Sequence, residues 1–328
     1  MRVQKTGAAL WCAVIAVASI LVGSASWAAS APARATTNSP IYQAGNCTRL
    51  DGLHPGSAVR TLRVAGVERS YRIHVPVGIG PRPLVLAFHG HGERNVSFER
   101  YTGLSKLPAI VVYPEALRGV GGTPAWQGAP YSSPRSDDIG FTRAILTDVR
   151  ARLCVDPGRT FVLGRSNGGG LTMLLACRMP GQFAAFAVVN GAVYTRTIAG
   201  CRPRPASVID FHGTADGTIH YNGGRRFGER YLAVSQWLGM WTRAAGCVST
   251  PLTVATGPSV DRMSWPLCSA LGHEVVHYRI NGGTHRWPAL IDTSPFGSVS
   301  TGSSELTSST AVIWRFFSAH AQWGGSGS

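Results

Sequence analysis

A mostly parallel, doubly wound α/β sheet behind an N-terminal β-hairpin is the fold class this sequence predicts, and three observations predict it. Strand-like and helix-like segments alternate over most of the chain. Pro83-Leu-Val-Leu-Ala-Phe88 is apolar throughout, as a strand buried on both faces requires. Thr160-Phe-Val-Leu163 runs through Gly164-Arg165-Ser166-Asn167-Gly168 into a helical pattern with Leu171, Leu174 and Leu175 on one face. That stretch has the layout of a nucleophile elbow, G-x-S-x-G between a strand and a helix.

Taken in order, the chain of 328 residues opens on Arg2 and Lys5, then an apolar run from Ala8 to Val22 broken only by Ser19, then the small residues Ser26, Ala28 and Ala29. A positive head, apolar middle and small-residue exit predict a signal peptide over 1–28 and a secreted product. Residues 29–46, rich in Ala, Pro, Ser and Thr, read as a flexible leader. One domain is expected over 47–322, with a disordered tail at 323–328. Val59–Val64 and Glu68–Val75 alternate polar and apolar residues around Gly66, which predicts the hairpin, with Arg60, Arg63, Arg69 and Arg72 on its wet face. After Pro83–Phe88 comes a second buried strand, Ala109–Tyr113. Asp137 then caps a helix carrying Phe141, Ile145 and Val149. Beyond the elbow helix lie strands Ala184–Val189 and Ser207–Phe211, an amphipathic helix near Glu229–Arg243, strand His273–Ile280 and a last helix near Ser309–His320. Trp237 and Trp241, with Tyr231 and Leu238, read as core.

The formal charge is +15, falling to +13 once Arg2 and Lys5 leave with the signal. The remaining arginines are scattered and no nucleic-acid motif accompanies them, so no nucleic-acid partner is expected. No membrane association is expected after signal cleavage, and a monomer is the expected state. Six cysteines stay in the mature chain, an even number that in an exported protein predicts disulfides. Fifteen pairings are possible. Closure of nearest neighbours suggests Cys177–Cys201 and Cys247–Cys268, which leaves Cys47–Cys154. The spacing suits no zinc site, and neither a metal nor a cofactor is expected.

A serine hydroxyl becomes a nucleophile only when a base takes its proton and an acid orients that base. An elbow of this kind implies the order Ser, acid, His, with the partners in loops that follow strands. Strand Ser207–Phe211 leads to Asp216 and strand His273–Ile280 leads to His285, so Ser166, Asp216 and His285 are the predicted catalytic residues. Asp210, inside its strand, suits a structural role, as do His212, His220, His273 and His277. Asp261 and Asp292 are wrongly placed. The oxyanion of an acyl-transfer step needs two N–H donors. Asn167, opening the elbow helix, supplies one, and His91 in His89-Gly90-His91-Gly92 supplies the other.

In these segments the chain resembles secreted esterases related to polyhydroxybutyrate depolymerases and type-one feruloyl or acetylxylan esterases. The matching stretches are PLVLAFHGHG, VVYPEA, DDIGF, CVDPGRTFVLGRSNGGG, DFHGTADGTIHYNGG, NGGTHRWP and AVIWRFF, in family order over about residues 59–320. The resemblance implies an α/β-hydrolase fold, the Ser166–Asp216–His285 triad and the two shorter disulfides. Arg165, His91 and Arg286 depart from the family pattern and bear on what the cleft accepts. Trp126, Tyr221 and Trp287 are the candidate substrate-binding side chains, and Tyr131 lies in a loop at the same edge. The expected activity is hydrolysis of carboxylic esters through an acyl-enzyme, on feruloyl or acetyl esters of polysaccharide or on short polyhydroxyalkanoate. The rival readings are a catalytically silent hydrolase-fold protein that binds cell wall or polymer, and an acyltransferase using the same triad.

Overall fold

β1 (Gly56–Val64) and β2 (Val67–Val75) pair antiparallel through Ala65-Gly66, both at positive φ, so the hairpin forms as the alternation requires. The computed structural model describes residues 54–78, 80–288 and 308–321; the expected signal segment 1–28, leader 29–46, tail 323–328 and Cys47 lie outside them. β3 (Arg82–Phe88), β4 (Ile110–Pro114), β5 (Val155–Arg165), β6 (Ala185–Val189), β7 (Ser207–Gly213) and β12 (Val275–Ile280) follow the predicted strands. Between them lie α1 (Asn95–Thr102), α2 (Asp138–Arg152), α3 (Asn167–Arg178) and α4 (Val234–Ala244), and α5 (Ser309–Ala319) closes the described chain. The sheet order is β1-β2-β4-β3-β5-β6-β7-β12, extended by β11 (Val260–Trp265) and β10 (Leu252–Gly257). From β4 to β12 every neighbour is parallel, while β2 runs antiparallel to β4. This order, with its reversed second strand, is the α/β-hydrolase fold.

Alternate residues of β3 serve opposite layers. Leu84, Leu86 and Phe88 pack with Ile145, Leu171 and Trp237, whereas Val85 and Ala87 pack with Phe98, Ile313 and Phe317. A strand covered on both faces can carry no polar alternation, which is why the run is apolar throughout. Asp137 caps α2 as expected, its carboxylate accepting the Gly140 N–H at 2.8 Å. Cys177–Cys201 and Cys247–Cys268 are bonded, and Cys154 is disulfide-bonded as well. Among the described residues no helix is long and apolar enough to cross a membrane.

Two expectations need correction, and one hairpin was not expected. Glu229–Tyr231 is not the start of a helix but a short strand, β9, paired with β8 (Gly224–Arg226) in a separate two-stranded sheet. Phe227-Gly228 between them, both at positive φ, turn the chain back, so α4 begins only at Val234. The β10–β11 hairpin has no apolar run to signal it: β10 is mostly exposed, and β11 is held by pairing with β12. Arg69 does not lie on a wet face. It is buried, 2.7 Å from the fully buried Asp138 and over the Phe141 ring.

Burial pushes the Asp138 carboxyl up, against the pull of Arg69 and the Gln127 N–H. Its second oxygen accepts that N–H at 2.6 Å, so the pair also pins the loop leading to α2. Removing the cation strands a buried carboxylate, and Arg69→Met is expected to destabilise the fold by about 3–5 kcal/mol in urea denaturation. Arg69→Met combined with Asp138→Asn is expected to lose less; equal losses would mean that packing, not charge, carries the effect.

Candidate active site

The elbow is a tight crossing of main chain. Ser166 has φ 53° and ψ −118°, a strained conformation for a residue with a Cβ. A Cβ on Gly164 would lie 2.1 Å from the Gly168 carbonyl oxygen, and one on Gly168 would lie 2.2 Å from that of Phe88. Glycine at both positions lets α3 start directly against the ends of β5 and β3. The Ser166 N–H is held by the Val189 carbonyl, and the Ser166 carbonyl accepts from Gly170 and Ala192.

Parallel strands bring the loops at their C-terminal ends to one sheet edge, and the three predicted side chains meet there. Ser166 Oγ lies 2.9 Å from His285 Nε2, and His285 Nδ1 lies 2.7 Å from Asp216 Oδ2. The other carboxylate oxygen of Asp216 accepts the Thr218 and Ile219 N–H groups, each at 2.8 Å. Burial raises the Asp216 pKa, but the His285 ring and these two donors outweigh it and leave the carboxyl below its ordinary value. A carboxylate at Nδ1 fixes the tautomer that leaves Nε2 as acceptor for the serine proton. The two loops are locked together: a Cβ on Gly213 would meet the Gly283 oxygen at 2.1 Å, and Ala215 N–H donates to that same carbonyl.

Trp126 ties the loop after β3 to the start of α3. The Trp126 ring N–H donates to the His89 carbonyl at 2.8 Å, and the Trp126 backbone N–H donates to Asn167 Oδ1 at 2.7 Å. The backbone N–H groups of His91 and Asn167 make no hydrogen bond among the described residues, so both are free to donate. Trp126 is therefore corrected from substrate contact to buried brace, fully covered against Phe88 and His89. Tyr221 is half-buried, its hydroxyl 2.8 Å from His277 Nε2. Trp287 packs edge-on to Phe98 and Tyr101. Among the competing histidines, His212 bonds the Ile219 carbonyl and lies 3.5 Å from Asp216 Oδ2, and His277 lies 2.8 Å from buried Asp210.

Two tethers escaped the sequence reading. Arg165, the unusual elbow residue, pairs through Nη1 with Glu93 and donates through Nη2 to the His285 carbonyl at 2.6 Å. Glu93 also accepts the Gly90 N–H at 2.9 Å and the Tyr101 hydroxyl at 3.0 Å. One ion pair thus joins the elbow, the loop after β3 and the loop carrying His285. Asn190, after β6, donates to the Arg286 carbonyl and accepts the Gly213 N–H. Both pairings span long sequence separations, and nothing local signals them.

The chain is 28% identical to NocK of Nocardia uniformis subsp. tsuyamanensis, named as a candidate esterase, over 94% of this chain and 96% of that protein. It is 26% identical to feruloyl esterase D of Neurospora crassa, over 83% of this chain and 89% of that protein. The solved acetyl xylan esterase from Aspergillus awamori superposes with a TM-score of 0.47 at 17% identity, covering 70% of this chain and 94% of that one. No protein-family model matches.

Arg165→Leu, which unties three loops at once, is expected to lower kcat on a small methyl ester by about tenfold to a hundredfold through misplacement of the imidazole. Arg165→Lys should restore little, because one ammonium cannot span both partners; a normal kcat in Arg165→Leu would remove the tether from catalysis. A second expectation concerns pH. Burial holds the His89 imidazole below its ordinary protonation range, although the Gly90 carbonyl and nearby carboxylates pull the other way. The unfolded chain takes up this proton near pH 6.5, the folded chain only at lower pH. The contribution is thus complete above about 6.5 and lost below it. Tm should fall between about pH 7 and pH 5, less steeply in His89→Gln; identical slopes would exclude His89 as a cause.

Proposed function

We propose that this chain is an exported esterase that releases hydroxycinnamoyl or acetyl groups from polysaccharide, or cleaves short polyhydroxyalkanoate, through an acyl-enzyme on Ser166. The chain is an α/β-hydrolase of the esterase type and a carboxylic-ester hydrolase. Export is supported by the pattern of residues 1–28 and by two disulfides, which persist in oxidising surroundings.

The observation that carries the mechanism is the unbroken hydrogen-bonded chain from Ser166 through His285 to Asp216. In this reading Ser166 Oγ attacks the ester carbonyl while its proton passes to His285 Nε2. The Asn167 and His91 N–H groups hold the oxyanion, and the positive end of α3 adds to the first. His285 then protonates the leaving alkoxide. Water, activated by the same imidazole, attacks the acyl-enzyme and frees the acid. Asp216 stays ionised throughout, orienting the ring and stabilising the imidazolium.

Ser166→Ala is expected to reduce kcat on p-nitrophenyl acetate and methyl ferulate by roughly 10⁴-fold or more. A fluorophosphonate should label the wild type at one equivalent, on Ser166. Equal rates for the variant, or no labelling, would leave a folded protein that binds polymer without cleaving it.

A further inference from the structure

The β8–β9 hairpin turns on two residues, Phe227 and Gly228, with φ of 52° and 75°. Two-residue turns with both φ positive favour Asn-Gly, and a bulky side chain at the first position is unfavourable because its Cβ crowds the backbone. Phenylalanine stands there nonetheless, and the residue is 55% exposed. It neither eases the turn nor fills the core. A strained backbone that displays an apolar ring to solvent points to a use for that ring.

Its neighbours indicate the use. The Phe227 ring lies 4.8 Å from the Tyr131 ring at 68° and 5.9 Å from the His91 ring at 82°. His91 and Tyr131 are themselves 4.0 Å apart and tilted by 32°. His91 Nε2 is held 2.8 Å from Thr123 Oγ1, and burial, with Arg226 nearby, pushes the imidazole pKa down, so the ring is kept uncharged. Tyr131 is backed by Tyr194, and the Tyr194–Tyr231 bridge ties the hairpin to the body. These rings line a shelf whose inner end is the residue assigned to the oxyanion.

We propose that this shelf binds a planar aromatic ring on the acyl side of the ester, with Phe227 as its specificity-determining wall. The inference rests on the esterase reading above and narrows it. An acyl oxygen held by the His91 N–H brings the acyl group beside the His91 ring, and a flat conjugated acid carries its own ring outward from there. Offset or edge-on contact with Tyr131 and Phe227 is the arrangement aromatic rings prefer.

The test compares methyl ferulate, methyl acetate and phenyl acetate on the wild type, Phe227→Asn and Phe227→Tyr. Phe227→Asn should lower the ratio of kcat/KM for methyl ferulate to that for methyl acetate by about threefold to tenfold, through KM. Its Tm should stay level or rise by about 1–3 °C, since Asn-Gly suits the turn. Phe227→Tyr should keep the wild-type ratio. An unmoved ratio in Phe227→Asn, or a parallel loss on all three esters, overturns the shelf. A selective loss on phenyl acetate moves the ring to the alcohol side and overturns the acyl assignment. A wild type that turns over none of them sinks the esterase reading itself, a result distinct from an active enzyme with an unmoved ratio.

Discussion

Everything at this sheet edge depends on one contact between backbones, the seating of the α3 N-terminus on the ends of β5 and β3. Carbonyl oxygens come within about 2 Å of where side chains would begin at Gly164 and Gly168. That closeness forces Ser166 into its positive-φ turn and sets the Asn167 N–H at the N-terminus of α3. The strain at Ser166 is over-determined by its surroundings: Val189, Gly170 and Ala192 bond its backbone from different elements. With Ser166 fixed in this way, His285 and Asp216 need only reach it, and parallel strands deliver both loops to the same side.

The second organising force is electrostatic and works over longer sequence distances. Arg165 and Glu93 are both largely covered, and each also bonds a backbone group of a loop it joins. A buried pair of this kind adds little to stability against an apolar substitute, and its value lies in specifying one arrangement. Arg69 and Asp138 do the same for the loop carrying Trp126 and Gln127. The short loops around Ser166 thus hold their shape through charged side chains where they lack room for apolar packing.

How much of this could be read from the chain follows from how local each signal is. The apolar run of β3, the cap at Asp137 and the glycines of the elbow are constraints within a few residues, so they were legible. The order Ser166, Asp216, His285 was legible because strand ends mark where side chains can converge. The role of Trp126 was not: its partners are the His89 carbonyl and the Asn167 side chain, and an aromatic residue in a loop looks the same whether it braces or binds. Arg69 shares the parity of buried Tyr71, Ile73 and Val75, so the alternation of β2 itself turns it inward; its charge argued for the wet face, and only the fold brings Asp138 beneath it. The start of α4 was misplaced because Glu229–Tyr231 has helix-compatible composition and the turn at Phe227-Gly228 decides otherwise.

The β8–β9 ribbon shares no ladder with the main sheet. Its tip can therefore lengthen, shorten or change residue type without shifting the register of any strand that carries Ser166, Asp216 or His285. In a lineage of such chains, selectivity and reactivity would be free to diverge at different rates: a fixed chemical engine beneath an exchangeable mouthpiece, with new diets acquired by rewriting a few positions of one small ribbon.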